Sequence, residues 1–404
     1  MSRPSMVLVE PNAHRVSGHH HGALVALTRA VPGALVVALN GITAESRSMI
    51  EAAGCRITTR ARGPAAVVLL AAAIGAAAVA DLGLAVFASR RWPTRVRRVP
   101  HQVTALARCL AEAAAVRTAR ALAGPAAPVI VLSAGEALHG LAAVLGGPHA
   151  RFVHEINTTE DLPLRLLGRA AQPGLSRALV LAPTEQVCGD LLARFPGLRC
   201  QVRPFAVADP AERLTSSERR AARAAFALAD DQTAVCLIGG WWPSKDIAVL
   251  DAALGRLTRP LHLLVIGDPL DRAVLQRWQG LPHIRLHAFP GPASQARIRT
   301  VYAAADAAVV SRRMGVGKES GLVADAARLG VPLIVSDHDP ALTQRLAGRD
   351  WARLFPAGDS GALAVLLDDL RAHPPSRPGS YAAADIGVPT AADQGAFLTG
   401  LHHL

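Results

Sequence analysis

The chain has 404 residues, room for two or three domains of ordinary size and too many for a small scaffold stapled by disulfides or a metal. At 51% hydrophobic and 18% charged it is too apolar to be disordered. The net charge of +12 comes from 43 basic residues, all but Lys245 and Lys318 being arginine, an excess that follows from an Ala- and Arg-rich composition and does not by itself call for a nucleic-acid partner.

Short β-branched runs alternate with longer Ala/Leu-rich stretches throughout, the pattern of parallel sheets joined by crossover helices. In the first half, strands are expected at 6–10, 34–40, 128–133, 151–156, 178–182 and 200–203. The first of these is broken at once by Glu10-Pro11-Asn12, so the long apolar core of a secretion signal is missing and a cytoplasmic protein is expected. Behind it, Ser17-Gly18-His19-His20-His21-Gly22 opens a helix whose unpaired first amides suit an anion or a polar substrate. This is not the GxGxxG of a dinucleotide site. Three adjacent histidines diverge, with no carboxylate or thiolate close by, so the readings are substrate contact or a solvated turn, and no metal is expected.

The stretch 64–88 is apolar apart from Asp81 and is followed by Arg90, Arg91, Trp92, Arg95, Arg97 and Arg98. Its length and basic flank fit a membrane segment, but Ala and Gly insert weakly and Asp81 is costly in lipid. A buried helix is expected, with a surface-lying or lipid-facing helix and then a span as the alternatives. Further on, the expected strand 151–156 delivers His154 at its carboxyl end, either to a substrate hydroxyl or to a partner within the strand edge.

The segment 204–217, with Pro204 and Pro210, reads as a linker between two doubly wound domains. Strands follow at 233–238, 261–266, 284–288, 307–310 and 332–336. After the first of them comes Gly239-Gly240-Trp241-Trp242-Pro243-Ser244-Lys245-Asp246, in which two glycines allow close backbone approach and a lysine suits a phosphate. The other lysine stands in Gly315-Val316-Gly317-Lys318-Glu319-Ser320-Gly321-Leu322, which runs into a helix carrying Asp325 and closed by Gly330. Its first amides suit a phosphate, and Glu319 and Asp325 suit sugar and ribose hydroxyls. The tail 373–389 is rich in Pro, Gly and Ser before a last helix. Domains are therefore expected at 1–204 and 205–375, with a tail 376–404 whose helix packs back on the first domain. The five cysteines have no tight spacing and read as reduced thiols.

From Thr233 to Leu370 the chain resembles the retaining GT-B glycosyltransferases, similar to bacterial group 1 (family 4) enzymes. The matching segments are Gly239-Gly240 with Lys245-Asp246, Val301 to Ser311, Gly330-Val331-Pro332, and Phe355-Pro356-Ala357-Gly358-Asp359. The resemblance implies two Rossmann-like domains facing across a cleft and metal-independent transfer of a hexosyl or aminohexosyl group with retention. The donor it implies is a nucleoside-diphosphate sugar, with no further cofactor. The acceptor is a small molecule or a lipid-linked one, in natural-product or cell-envelope glycan biosynthesis. The enzyme would be cytoplasmic, with peripheral contact to the inner face of the membrane through Arg90 to Arg98.

Residue by residue, the resemblance assigns the leaving diphosphate to Lys245 and the Gly321-Leu322 amides, the ribose to Asp325 and the donor sugar to Glu319. It places His154 at the transferred sugar and Gly18 near diphosphate and acceptor, and groups Gly239, Gly240, Lys318 and Ser320 around the donor. The chain departs from the family in two places. Gly240 stands where an arginine is usual, and the first of two acids normally eight positions apart falls on Gly317, so that Glu319, Lys318 or a backbone amide takes its role. A sugar-nucleotide epimerase, an altered relative and a non-catalytic nucleotide-sugar-binding protein are the alternatives.

Overall fold

The computed structural model describes residues 4–14, 19–87, 93–124, 127–134, 140–154, 165, 168–172, 174–209, 212–317 and 319–402. It divides into two compact units, one formed by residues 1–205 together with 391–404, the other by 206–390.

The first unit is built on seven parallel strands in the order β3-β2-β1-β4-β5-β6-β7. These are β1 Val7–Val9, β2 Leu35–Val37, β3 Arg56–Thr58, β4 Val129–Ala134, β5 His149–Val153, β6 Ala178–Ala182 and β7 Cys200–Val202. Between them run α1 His19–Ala30, α2 Ala44–Ala52, α3 Pro64–Phe87, α4 Thr94–Ala123, α5 Gly140–Gly146 and α6 Glu185–Arg194. A strand paired on both edges and covered on both faces has no polar side, which is why β1 is an unbroken, fully buried apolar run.

The second unit has six parallel strands in the order β10-β9-β8-β11-β12-β13. They are β8 Ala234–Ile238, β9 Leu261–Gly267, β10 Ile284–Pro290, β11 Ala307–Val310, β12 Leu333–Ser336 and β13 Ala352–Phe355. The helices are α7 Ser216–Ala225, α8 Ile247–Leu254, α9 Arg272–Gln279, α10 Gln295–Ala304, α11 Gly321–Leu329, α12 Pro340–Leu346, α13 Ser360–Asp369 and α14 Ala382–Asp385. Successive side chains of β8 feed opposite cores, Ala234, Cys236 and Ile238 into one and Val235 and Leu237 into the other, so helices cover both faces of the sheet. The strand order reverses between β8 and β11, and in the first unit between β1 and β4. Those reversals open crevices at the carboxyl ends of the strands.

Two edge strands, β3 and β13, have no counterpart among the expected strands. Both are short and only half-buried along most of their length, so they lack the apolar run that marks the central ones. The expected strand at 151–156 begins earlier, at His149, and residues 155–156 lie outside the described residues.

The expectation of a buried helix over 64–88 is overturned. α3 turns only Ala66, Ala73 and Ala80 inward, and packs along α4 so closely that a Cβ on Gly83 would lie 2.9 Å from Pro100 Cγ. It is α4, carrying Val116 and Ala119 into the core beneath β1 and β2, that covers the sheet; α3 rides outside it.

The expected tail 376–404 is also redrawn, because residues 376–390 belong to the second unit. Ile386 and Val388 are buried in its core, Arg213 donates to the Pro378 carbonyl, and the Ala208 amide donates to Pro389 O at 2.9 Å. The last helix, α15 Ala391–Thr399, lies against α1 in the first unit, where a Cβ on Gly395 would meet Val31 Cγ2 at 2.7 Å. Its buried Gln394 donates to Pro204 O at 2.8 Å and accepts from Arg203, whose guanidinium sits 4.2 Å above the Phe397 ring.

A buried ion pair crosses the first unit. Arg151 on β5 donates to Glu112 on α4 with both side chains almost wholly buried, beside His149, whose imidazole is driven down to about 3 by burial and by the neighbouring guanidinium. Removing the carboxylate strands a dehydrated guanidinium. Glu112→Ala should cost about 3–5 kcal/mol, and Glu112→Leu combined with Arg151→Met should recover most of that loss. Urea unfolding followed for each unit's transition measures both; an unchanged midpoint in Glu112→Ala would refute the account.

Candidate functional site

In the second unit, three adjacent strands, β8, β11 and β12, send their carboxyl ends into the crevice at the reversal point. The chain leaves β8 through Gly239, whose φ of 84° lies in the left-handed region that a glycine occupies without strain. Gly240 follows, and a Cβ there would stand 2.1 Å from the Asp268 carbonyl oxygen. No side chain fits at 240, so the arginine usual at this place has no room.

Lys245 folds back beneath this turn. Its Nζ donates to the carbonyls of Ile238 at 2.6 Å and Gly239 at 2.9 Å, leaving one of three ammonium hydrogens uncommitted. Loss of water around the amine, and then the nearby Arg312 charge, pull its pKa down to about 7. Arg312, just after β11, is buried and bridges to Lys245 in an antiparallel backbone pairing. The two loops are pinned together by Asp246 N to Ser311 O at 3.1 Å, Ser311 Oγ to Asp246 O at 3.1 Å and Arg313 N to Ser244 O at 3.2 Å. Two cations are thus held side by side at the end of the sheet.

From β12, Ser336 Oγ accepts the Arg312 amide at 3.0 Å. His338, fully buried, donates through Nδ1 to the Ser336 carbonyl at 2.8 Å, while its Nε2 has no hydrogen-bond partner among the described residues. Burial first and the Arg312 charge second lower its pKa, so the ring is neutral and Nε2 is an open acceptor. On the β11–α11 loop the buried Ser320 Oγ is likewise unpartnered among the described residues, although Ser320 stands at the N-cap of α11. The first amides of that helix, at Gly321 and Leu322, are of the kind that intrahelical bonds leave open.

The two acids read from the sequence are engaged within the unit. Glu319 accepts the Ala206 amide on both oxygens, at 3.2 and 3.1 Å. Asp325 on α11 pairs with Arg328 at 3.0 Å, and Arg328 also meets Glu212. Dehydration pushes the Asp325 carboxyl up to about 7. Near Asp325 the Tyr302 hydroxyl is buried with no hydrogen-bond partner among the described residues. Lys318 lies outside the described residues.

In the first unit, His154 follows β5 with its Nε2 3.3 Å from the Leu132 carbonyl and its ring edge-on to Phe205, 4.5 Å between centroids. At the end of β1, beside the reversal point, the buried Glu10 accepts the Asn12 amide at 2.7 Å. Of the three histidines, His21 is a packed residue whose Nδ1 lies 3.0 Å from Ser46 Oγ and whose pKa is lowered by burial. Gly18 lies outside the described residues. No group of three or more His, Cys, Asp or Glu could hold a metal ion among the described residues.

Arg312, Ser336 and His338 were not singled out by sequence. An arginine among so many carries no signal, and Ser-Asp-His after an apolar strand is an ordinary strand exit.

No family model matches the sequence, and no curated protein matches it. Solved structures do. Anabaena HepE in complex with UDP and glucose is similar over 99% of this chain and 100% of its own, at 15% identity and a TM-score of 0.66. Sucrose-phosphate synthase from Thermosynechococcus elongatus is similar over 100% and 98%, at 14% identity and a TM-score of 0.62. WaaG, a glycosyltransferase involved in lipopolysaccharide biosynthesis, is similar over 98% of each chain, at 12% identity and a TM-score of 0.55. The chain therefore has the GT-B glycosyltransferase fold.

An anion placed against Lys245 favours its charged form and raises its pKa from about 7 toward the ordinary lysine value. Binding of inorganic diphosphate above that pH should take up a proton, and affinity should fall as the pH rises. Calorimetry in two buffers of different ionisation heat reads the uptake, which should shrink in Lys245→Met; equal uptake in both proteins would overturn the assignment.

Proposed function

We propose that the chain is a glycosyltransferase that binds a nucleoside-diphosphate sugar in its second unit and passes the sugar to an acceptor hydroxyl. The observation that carries this reading is the adjacent pair Lys245 and Arg312, two dehydrated cations beside a glycine turn at the strand reversal. A diphosphate is an anion of the kind that two adjacent cations attract. Support comes from the GT-B fold and from its neighbours, among them a HepE complex with UDP-glucose.

In the reaction, cleavage of the bond between the anomeric carbon and the phosphate oxygen leaves both electrons on the diphosphate. Charge grows there as the bond breaks. Lys245, Arg312 and the first amides of α11 would meet that growing charge without reorganising, the condition under which electrostatic stabilisation is most effective. His338 Nε2 would accept a hydrogen bond from a donor hydroxyl, and Ser320 Oγ would supply a second polar contact. Retention, by attack of the acceptor oxygen on the face that the leaving group vacates while its proton passes to the departing phosphate oxygen, is part of the proposal, as is a hexosyl or aminohexosyl donor.

One observation favours a second reading, a nucleotide-sugar-binding protein without transfer. Glu319 and Asp325, the acids assigned to sugar and ribose, are engaged with Ala206 and Arg328. A thermal-shift screen over nucleoside diphosphates and their sugars identifies the ligand. Incubation with the stabilising donor and candidate acceptors then separates the readings, since transfer yields free nucleoside diphosphate and a glycosidic product.

Lys245→Ala and Arg312→Ala should each weaken diphosphate binding by about 10- to 100-fold, the cost of about 1.5–3 kcal/mol for a hydrogen bond to a charged group. Titration calorimetry with UDP checks both. Wild-type affinity in both variants would sink the site.

A further inference from the structure

We propose that the exposed face of α3 seats in the interface of an anionic lipid bilayer. This rests on the first unit alone and is independent of the donor site.

α3 is 24 residues long, about 36 Å at the rise of an α-helix, and apart from Asp81 it carries no charge. Its large side chains point away from the protein: Val68, Ile74 and Leu82 are 67%, 64% and 67% exposed, and Val67, Val79 and Val86 are each more than half exposed. At 100° per residue these six cover an arc of roughly 140°, opposite the Ala66, Ala73 and Ala80 stripe that meets α4. Smaller exposed residues, Ala71, Ala72, Ala77 and Ala78 among them, extend this apolar surface. Water is a poor solvent for a face of this size, and such faces mark contact surfaces.

The charge beside this helix names the partner. α4 begins with Arg95, Arg97 and Arg98 in its first turns, with no acid there, although a helix N-terminus is itself positive and disfavours cations. No carboxylate pairs with Arg95 or Arg98 among the described residues, and both are exposed. An apolar rod with uncompensated arginines at one end matches a membrane surface, where acyl chains take the rod and phosphates take the guanidinium groups. A second copy packed with its α3 parallel would bring the same arginines like against like, and one packed antiparallel would leave them without a counter-charge. The helix lies along the leaflet and does not span it. A span would carry α4, which runs beside α3, into hydrocarbon together with exposed His101 and Arg108.

Flotation of the full chain with vesicles tests this. The protein should rise with phosphatidylcholine–phosphatidylglycerol vesicles at low salt and less with phosphatidylcholine alone. Ile74→Gln/Leu82→Gln and Arg95→Glu/Arg98→Glu should each lower the partition coefficient about tenfold or more. Because these side chains face solvent, thermal unfolding should stay at the wild-type midpoint. Should Ile74→Gln/Leu82→Gln lower that midpoint, Val68→Gln/Val79→Gln provides the same reading on the same face. Three results would overturn the proposal: no flotation on either vesicle, flotation undiminished by loss of the apolar side chains, or sedimentation of a wild-type dimer that Ile74→Gln/Leu82→Gln dissociates.

Discussion

Like charges held close together in dehydrated surroundings weaken each other's charged form, and in the second unit burial and the neighbouring Arg312 charge do this to Lys245. Hydrogen bonds between the loops after β8 and β11 fix the backbone that carries the pair. The surrounding structure follows from holding that geometry. The glycines at 239 and 240 let the β8 exit pass against the loop after β9, and the Ile238 and Gly239 carbonyls seat the ammonium. Ser336 steadies the Arg312 backbone and His338 together. The outcome is a lysine and an arginine held at fixed places at the carboxyl ends of β8 and β11.

Much of this was legible in the sequence, and what was not has identifiable causes. Lys245 stood out because lysine is so rare here, and the glycine pair before it signalled close backbone approach. Arg312 was hidden by the same composition that exposed Lys245. The absence of an arginine at 240 looked like a defect in the phosphate clamp. Folded, that position has no space for a side chain, and a second cation reaches the same region from β11, distant in sequence and adjacent only through the strand order. Glu319 and Asp325 could be named as acids, but a linear reading could not show them engaged with Ala206 and Arg328.

The α3 segment shows a different limit. Its alanines and glycines do mark intimate helix packing, and Ala66, Ala73 and Ala80 do meet α4 in that way. Composition could not show that a single neighbour would suffice and that the larger side chains would be left outside. The edge strands β3 and β13 were missed for a related reason: where a strand is half-covered, its sequence has no need to be uniformly apolar.

The route of the backbone has a consequence for biosynthesis. The first unit is closed by α15, so nearly two hundred residues of the second unit are made between its penultimate segment and its last. A nascent chain therefore exposes the α1 surface around Val31, where Gly395 will settle, throughout the synthesis of the second unit. The second unit is continuous and can fold as soon as it emerges, ahead of the domain that precedes it in the gene. Order of translation and order of completion are inverted in this molecule.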